Sequence, residues 1–128
     1  MKKMWVESNI GEGYNRIYSC TPSLIARSAF FYVQSTGHFR RNDDYFTRRE
    51  GYRSILLLYT VDGKGIASYR GKQYELDRGK VMLMDCYEYQ EYHTAKNDFW
   101  EIKWVHFHGG SSEEYFKLIY DNYGPVIA

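Results

Sequence analysis

Short runs rich in apolar, β-branched and aromatic residues follow one another through the middle of this chain, and glycines separate them at short intervals. The run 53–61 (RSILLLYTV) is rich in β-branched and aromatic residues, and Asp62-Gly63-Lys64-Gly65 supplies the turn chemistry that stops it. Short strands are expected at 66–69, 73–76 and 80–84, separated by Arg70-Gly71-Lys72 and Asp77-Arg78-Gly79. Strands this short and this closely spaced predict a sandwich or a barrel. The last strand, 99–108, sorts by its period: Trp100, Ile102, Trp104, His106 and His108 share one face, and Phe99, Glu101, Lys103, Val105 and Phe107 the other. The even-numbered face is expected to point inward.

Upstream, Pro22 fixes a turn, and 29–34 (AFFYVQ) is a strand candidate ended by Ser35-Thr36-Gly37. The segments 38–41 and 45–48 flank Asn42-Asp43-Asp44, which favours a turn, so a hairpin is expected. Arg40, Arg41, Arg48, Arg49 and Arg53 interleave with Asp43, Asp44 and Glu50, which reads as a mixed-charge solvated face rather than a phosphate patch. Residues 1–21, with Gly11 and Gly13 as breakers, lack periodicity and read as an N-terminal arm, unstructured or merely packed in preference to a ligand lid. Downstream, Gly109-Gly110 ends the strands, and Ser111 and Glu114 stand at capping-box spacing before a helix carrying Tyr115, Phe116, Ile119 and Tyr123. Gly124-Pro125 terminates it. One helix after one barrel, with little helix elsewhere, is the expectation.

A chain of 128 residues fits one domain and can bury a core without disulfides. A net charge of +1 argues against nucleic-acid binding by this segment itself. Fourteen Tyr, seven Phe and three Trp suit both strands and a pocket that stacks on a flat or sugar-like ligand. Cys20 and Cys86 form no CxxC pattern, so neither a disulfide framework nor structural zinc is indicated, and reduced thiols are expected. Met1-Lys2-Lys3 leads into polar sequence rather than an apolar signal region, and no apolar run reaches membrane-spanning length. A cytoplasmic location without membrane contact follows as the expectation.

The chemistry offers few constellations. His106 and His108 alternate on one strand and two imidazoles there could share a metal, but the remaining histidines, His38 and His93, lie upstream, and Glu113 and Glu114 fall in the expected helix. No GxSxG, no Cys beside a His and no phosphate-cradling loop occurs, and Gly63-Lys64-Gly65 lacks Walker spacing. Cys86 reads as a small buried hydrophobe whose thiol pKa is raised by Asp85 and Glu88. No catalytic residue, metal or cofactor is assigned.

The run REGYRSILLLYTVDGKGIASYRGKQYELDRGKVMLMD, followed by Gln90-Glu91-Tyr92 and WEIKWVHFHG, resembles the N-terminal cupin domain of AraC-type transcriptional regulators over roughly 21–120. The chain has Asp85-Cys86 where many members have Pro-Pro, and Gln90 where they have His. The resemblance implies an all-β, cupin-like double-stranded β-helix (a jelly-roll barrel) at 22–110, preceded by the arm at 1–21 and followed by a C-terminal α-helix at 111–128. It implies an effector-sensing domain that binds a small molecule, of carbohydrate type, and an N-terminal arm that in some members folds over the effector. DNA binding would belong to a helix-turn-helix part beyond this chain, which reads as a fragment, and the full-length protein would form a homodimer through helices after the barrel. Carried over residue by residue, the ligand-binding set is Arg48, with Arg49 open as a one-residue shift, Tyr92, Ile102 and Trp104. Their roles would be donation by the Arg, hydrogen bonding by the Tyr hydroxyl and ring stacking by Trp104. The ligand expected is a neutral or mildly anionic polyhydroxylated molecule. Two other readings stay open: a metal-dependent cupin enzyme using His106 and His108, and a stand-alone sugar-binding module.

Overall fold

One strand belongs to two sheets, and the rest of the chain is arranged on either side of it. The computed structural model describes residues 3–7 and 13–128. Among them the chain runs β1 (Met4–Glu7), β2 (Gly13–Ser19), α1 (Leu24–Ala29), β3 (Tyr32–Arg41), β4 (Phe46–Glu50), β5 (Ile55–Tyr69), β6 (Lys72–Asp77), β7 (Val81–Asp85), β8 (Gln90–Thr94), β9 (Trp100–His108), α2 (Ser112–Tyr123) and β10 (Val126–Ile127). The first half of β5 pairs with β7 and β9, its second half with β6 and β8, all antiparallel. One sheet therefore runs β1-β4-β8-β5-β6 and the other β10-β7-β5-β9-β3-β2. The result is a curled, mostly β jelly roll of cupin type with a C-terminal helix, as the strand spacing and the resemblance led us to expect.

The expected turn at Asp62-Gly63-Lys64-Gly65 is instead the bend that carries β5 from one sheet into the other. The ladder with β9 skips Val61, pairing Thr60 with Ile102 and then Asp62 with Glu101. Such a bulge bends a strand without ending it. Gly63 adopts φ +76, and a Cβ there would lie 2.0 Å from the Phe99 carbonyl oxygen. Glycine is needed for conformation and space alike. At Gly65 the requirement is space alone, because the buried indole of Trp100 packs flat against its backbone. That indole donates from Nε1 to Thr60 Oγ1 at 3.1 Å, so the largest buried side chain leaves no unpaired donor.

Around it the inward residues of both sheets close the core: Leu56, Leu58, Ala67, Tyr69, Leu76, Met82, Met84 and Ile102 are all buried. The even face of β9 does point inward, with Trp100, Ile102 and His106 each 1% exposed. The segments flanking Asn42-Asp43-Asp44 do not form a hairpin. β3 pairs with β2 and β9 while β4 pairs with β1 and β8, so the turn is a corner between sheets. Tyr45, 2% exposed, plugs this corner from inside, and Asp43 Oδ2 accepts from Asn97 N at 3.1 Å outside it.

Three further local features differ from expectation. α1 occupies part of the segment assigned to turn and strand; Ser23 Oγ caps it by accepting from Ala26 N, and none of its six residues is buried, so no apolar period marks it. At α2 the Ser111 side chain makes no capping bond, while Gly124 ends the helix with φ +74 as its position suggested. The chain then returns as β10 to pair with β7. α2 packs through Phe116, Ile119 and Tyr120, whereas Tyr115 and Tyr123 remain exposed. Arg70 fastens it: its guanidinium donates to the Glu88 carboxylate at 2.6–3.1 Å and lies 4.3 Å from the Tyr120 ring centroid. Cys86 is fully buried, as the sequence suggested, although burial rather than Asp85 is the main cause that pushes its thiol up to about 11, with Arg49 pulling the other way. Cys20 is exposed.

Two outcomes follow from this packing. Gly65→Ala places a methyl 2.2–2.4 Å from three ring atoms of Trp100. Overpacking of this kind should cost about 2 kcal/mol, read as a lower urea midpoint with an unchanged m-value; an unchanged midpoint would contradict the description of the bend. A disulfide reagent at pH 8 should label Cys20 alone in the native chain and Cys86 as well once guanidinium unfolds it. Rapid labelling of both thiols in the native chain would show that Cys86 is not enclosed.

Candidate functional site

The strand period decides which side chains reach the space between the two sheets. On β4, Thr47 and Arg49 turn inward and Arg48 outward; on β8, Gln90, Tyr92 and Thr94 turn inward. Arg49 and Tyr92, with Phe39 and Ser35 from β3, Tyr45 from the corner, and Trp104 and His106 from β9, line a cavity of about 200 Å³. β1 and β2 complete its wall with Trp5, Glu7, Ile17 and Ser19. The N-terminal segment is thus ordered into strands at 4–7 and 13–19, and supplies lining residues rather than an unstructured tail. The rest of the expected arm, 1–2 and 8–12 with Gly11, lies outside the described residues.

Arg49 dominates the electrostatics. It is 1% exposed, and Nη1 donates to Gln90 Oε1 at 2.8 Å while Nη2 donates to the Tyr92 hydroxyl at 3.0 Å. Nη1 also lies 3.5 Å from Cys86 Sγ, and the Trp5 ring centroid is 4.0 Å from the guanidinium carbon. Burial works against the charge, the neighbouring phenol and thiol favour it, and the guanidinium stays protonated. Gln90 grips it from two sides: Oε1 accepts from the head group while Nε2 donates to the Arg49 carbonyl at 3.0 Å and to the Glu88 carbonyl. Gln90 is fully buried, so it braces Arg49 and does not stand at the cavity mouth. Burial raises the Tyr92 phenol, with Arg49 pulling the other way, so Tyr92 is a neutral hydroxyl that accepts from Arg49 and retains its own proton to donate.

His106 is the second polar group. Its Nδ1 is hydrogen bonded to Ser54 Oγ at 2.8 Å, and burial, helped by the charge on Arg49, pushes its pKa down to about 2. The imidazole is therefore neutral, and its Nε2 has no hydrogen-bond partner among the described residues. Trp5, Tyr52 and Trp104 surround the ring at centroid distances of 5.4–5.7 Å. His108 engages a different partner, Glu113, at 3.0 Å. The two imidazoles are thus tied separately, and among the described residues no group of three or more His, Cys, Asp or Glu is placed to hold a metal.

Of the four residues expected to bind ligand, Tyr92 and Trp104 line the cavity together. Arg48 does not: it is exposed on the outer face of β4, its guanidinium carbon 5.0 Å from the Phe46 ring centroid. Adjacent strand residues face opposite ways, so only one of the two arginines can enter, and it is Arg49. Ile102 is buried in the core beneath the cavity rather than in its wall. The mixed-charge face expected from the five arginines is likewise split, since Arg41 and Arg49 are buried and Arg40 pairs with Glu101 at 2.9 Å outside. His106, Phe39 and Tyr45 were missed as lining, although the same alternation that placed Trp104 inward also placed His106. Trp104 owes its position to Gly37, its cross-strand partner, where a Cβ would lie 2.4 Å from the indole Cζ2.

A second crevice of about 340 Å³ lies between α2 and the outer face of β5, β7 and β9, walled by Phe31, Leu57, Leu83, Phe107 and Phe116 among others. Ser112 and Tyr115 carry the only hydroxyls among its lining residues and the rest of the wall is apolar, so it offers no set of convergent polar groups to orient a polar ligand. The cavity at Arg49 is the candidate site.

Its imidazole gives a pH signature. An unfolded histidine binds a proton near pH 6.5 that folded His106 refuses, so His106 contributes stability above that pH and loses it as the pH falls. The unfolding free energy of the parent, measured against His106→Gln, should fall by up to about 1.4 kcal/mol per pH unit between pH 6 and 4.5. A constant difference across that window would mean that the imidazole accepts a proton in place.

Comparison with known proteins places these features. A family model described as the AraC-like ligand binding domain matches residues 32–127. Similar solved structures include a cupin protein from Bacteroides fragilis (13% identity, TM-score 0.53, covering 60% of this chain and 67% of that one). An HTH_3 family transcriptional regulator from Vibrio cholerae matches at 11% identity and TM-score 0.52, over 71% of this chain and 49% of its own. A predicted oxalate decarboxylase from Thermotoga maritima matches at 14% identity and TM-score 0.56, over 81% of this chain and 90% of its own. The chain spans about half the length of that regulator. At these identities the three share the fold, and they include both regulator and enzyme. No curated protein matches in sequence. With three quarters of its length inside the family match, the chain belongs to the AraC-like ligand-binding domain family.

Proposed function

We propose that this chain is the effector-sensing domain of an AraC-type transcriptional regulator, holding a small carbohydrate in the cavity between its sheets and controlling DNA binding by a part of the protein outside this sequence. The observation that carries the reading is the combination in one enclosed space of an indole wall, Trp104, with three polar groups that hydrogen bond without reacting: Arg49, Tyr92 and the neutral His106. Aromatic faces stack on the C–H surface of a sugar, while fixed donors and acceptors take its hydroxyls. A cavity of about 200 Å³ matches a monosaccharide in scale. Trp5 and Glu7 in the wall support a role for the N-terminal strand in enclosing the effector.

A regulatory rather than catalytic role is supported by the family match, and among the described residues of the cavity wall no nucleophile is hydrogen bonded to a general base. The thiol of Cys86 stays protonated, the imidazole of His106 is too weak a base to activate a nucleophile at neutral pH, and His108 is committed to Glu113. A metal-dependent cupin enzyme would need His106 and His108 to turn to a common ion, against both of these bonds. A cytoplasmic location agrees with free thiols and with the lack, among the described residues, of any helix long and apolar enough to cross a membrane.

The test is a thermal-shift and calorimetric screen of the chain against aldopentoses and aldohexoses. At least one should bind, and Trp104→Ala should weaken it tenfold or more while leaving the far-ultraviolet circular dichroism unchanged. A Trp104→Ala variant that binds that sugar as tightly as the parent would remove the indole from the site.

A further inference from the structure

We infer that the ligand of the Arg49 cavity carries a carboxylate, so that its class is a sugar acid rather than a neutral sugar; this rests on the carbohydrate-sensing reading above. The argument starts from how this chain treats its other arginines. Arg40 pairs with Glu101 and Arg70 with Glu88, both at or near the surface. Arg49, far more deeply buried than either, has no carboxylate within salt-bridge distance among the described residues. Its contacts are an amide oxygen, a phenol, a thiol and an indole face, all neutral. A buried cation without a counter-charge is unfavourable, and an anion that enters the cavity relieves it.

The donor inventory agrees. A guanidinium has five N–H groups. Nη1 uses two, on Gln90 and Cys86, and Nη2 uses one, on Tyr92. Nε is buried with no partner, and one N–H of Nη2 is left over. Two unspent donors on adjacent nitrogens are what a carboxylate engages through both of its oxygens. The Tyr92 hydroxyl proton and His106 Nε2 remain for ring hydroxyls, and Trp104 for the ring face. The one acid in the wall, Glu7, belongs to an exposed strand and accepts from Trp5 Nε1 at 2.8 Å, so water and the indole attenuate its repulsion.

The experiment compares matched pairs on the unaltered chain by isothermal calorimetry: D-galacturonate with D-galactose, D-glucuronate with D-glucose, and each acid with its methyl ester. The ester keeps ring and hydroxyls and loses only the charge. At least one acid should bind ten times more tightly than both its neutral parent and its ester. Arg49→Met should erase that preference, bringing the acid, its neutral parent and its ester to within a few-fold of one another, and the ester comparison stands on its own if this variant fails to fold. A neutral sugar or ester that binds as tightly as the acid overturns the inference and leaves the sensing reading intact. Binding of neither acid nor neutral sugar overturns the carbohydrate reading and the inference with it.

Discussion

Everything in this fold depends on the contact between Trp100 and the backbone of Gly65. The strand β5 can serve two sheets only if it bends sharply halfway, and the bend leaves a hollow beneath it that a single large ring fills. Trp100 lies on β9, which borders the first half of β5, while Gly65 pairs into the second sheet, so their contact ties the sheets together at the point where they diverge. The bond from the indole to Thr60 then makes the tie directional, since a ring that only filled volume could rotate. Farther along β9 from that contact, Trp104 and His106 line the cavity together with Arg49 from β4.

Two kinds of order meet in that cavity. Its apolar wall is ordinary packing, with Phe39 edge-on to Trp104 at 5.6 Å and Tyr45 edge-on to Phe39 at 5.7 Å. Its polar wall is a chain of mutually braced groups. Gln90 holds Arg49, Arg49 orients Tyr92, and the charge on Arg49 helps keep His106 neutral. Gln90 also donates to the Glu88 carbonyl, and the Glu88 carboxylate is the partner of Arg70 beneath α2. The polar wall is therefore continuous, through one buried glutamine, with the fastening of the C-terminal helix.

Strand positions and facing were legible in the sequence wherever a period of two ran unbroken, which is why β9 and the inward placement of Trp104 could be read directly. Where a glycine pair interrupted the period, the sequence could not tell a turn from a bend, because Gly63 at positive φ serves either; the answer lay in partners on β9 that local sequence does not name. The corner at 42–45 was misread for the same reason, since a turn motif announces a reversal but not which sheet the chain enters next. Within the site, the doublet Arg48-Arg49 was ambiguous until the register of β4 against β8 was fixed, with Arg49 opposite Gln90. Trp5, Ile17 and Ser19 carried no local signal at all, because their part in the wall comes from pairing with strands more than fifteen residues away.

The cross-strand pair of Gly37 and Trp104 has a bearing on selectivity. The indole rests directly on the glycine backbone, so the depth of the cavity is set from behind its wall as much as by the residues that face inward. A side chain at position 37 would collide with that ring, which has to shift to make room. The room in front of Trp104 is thus gauged by a residue that takes no part in the cavity wall itself.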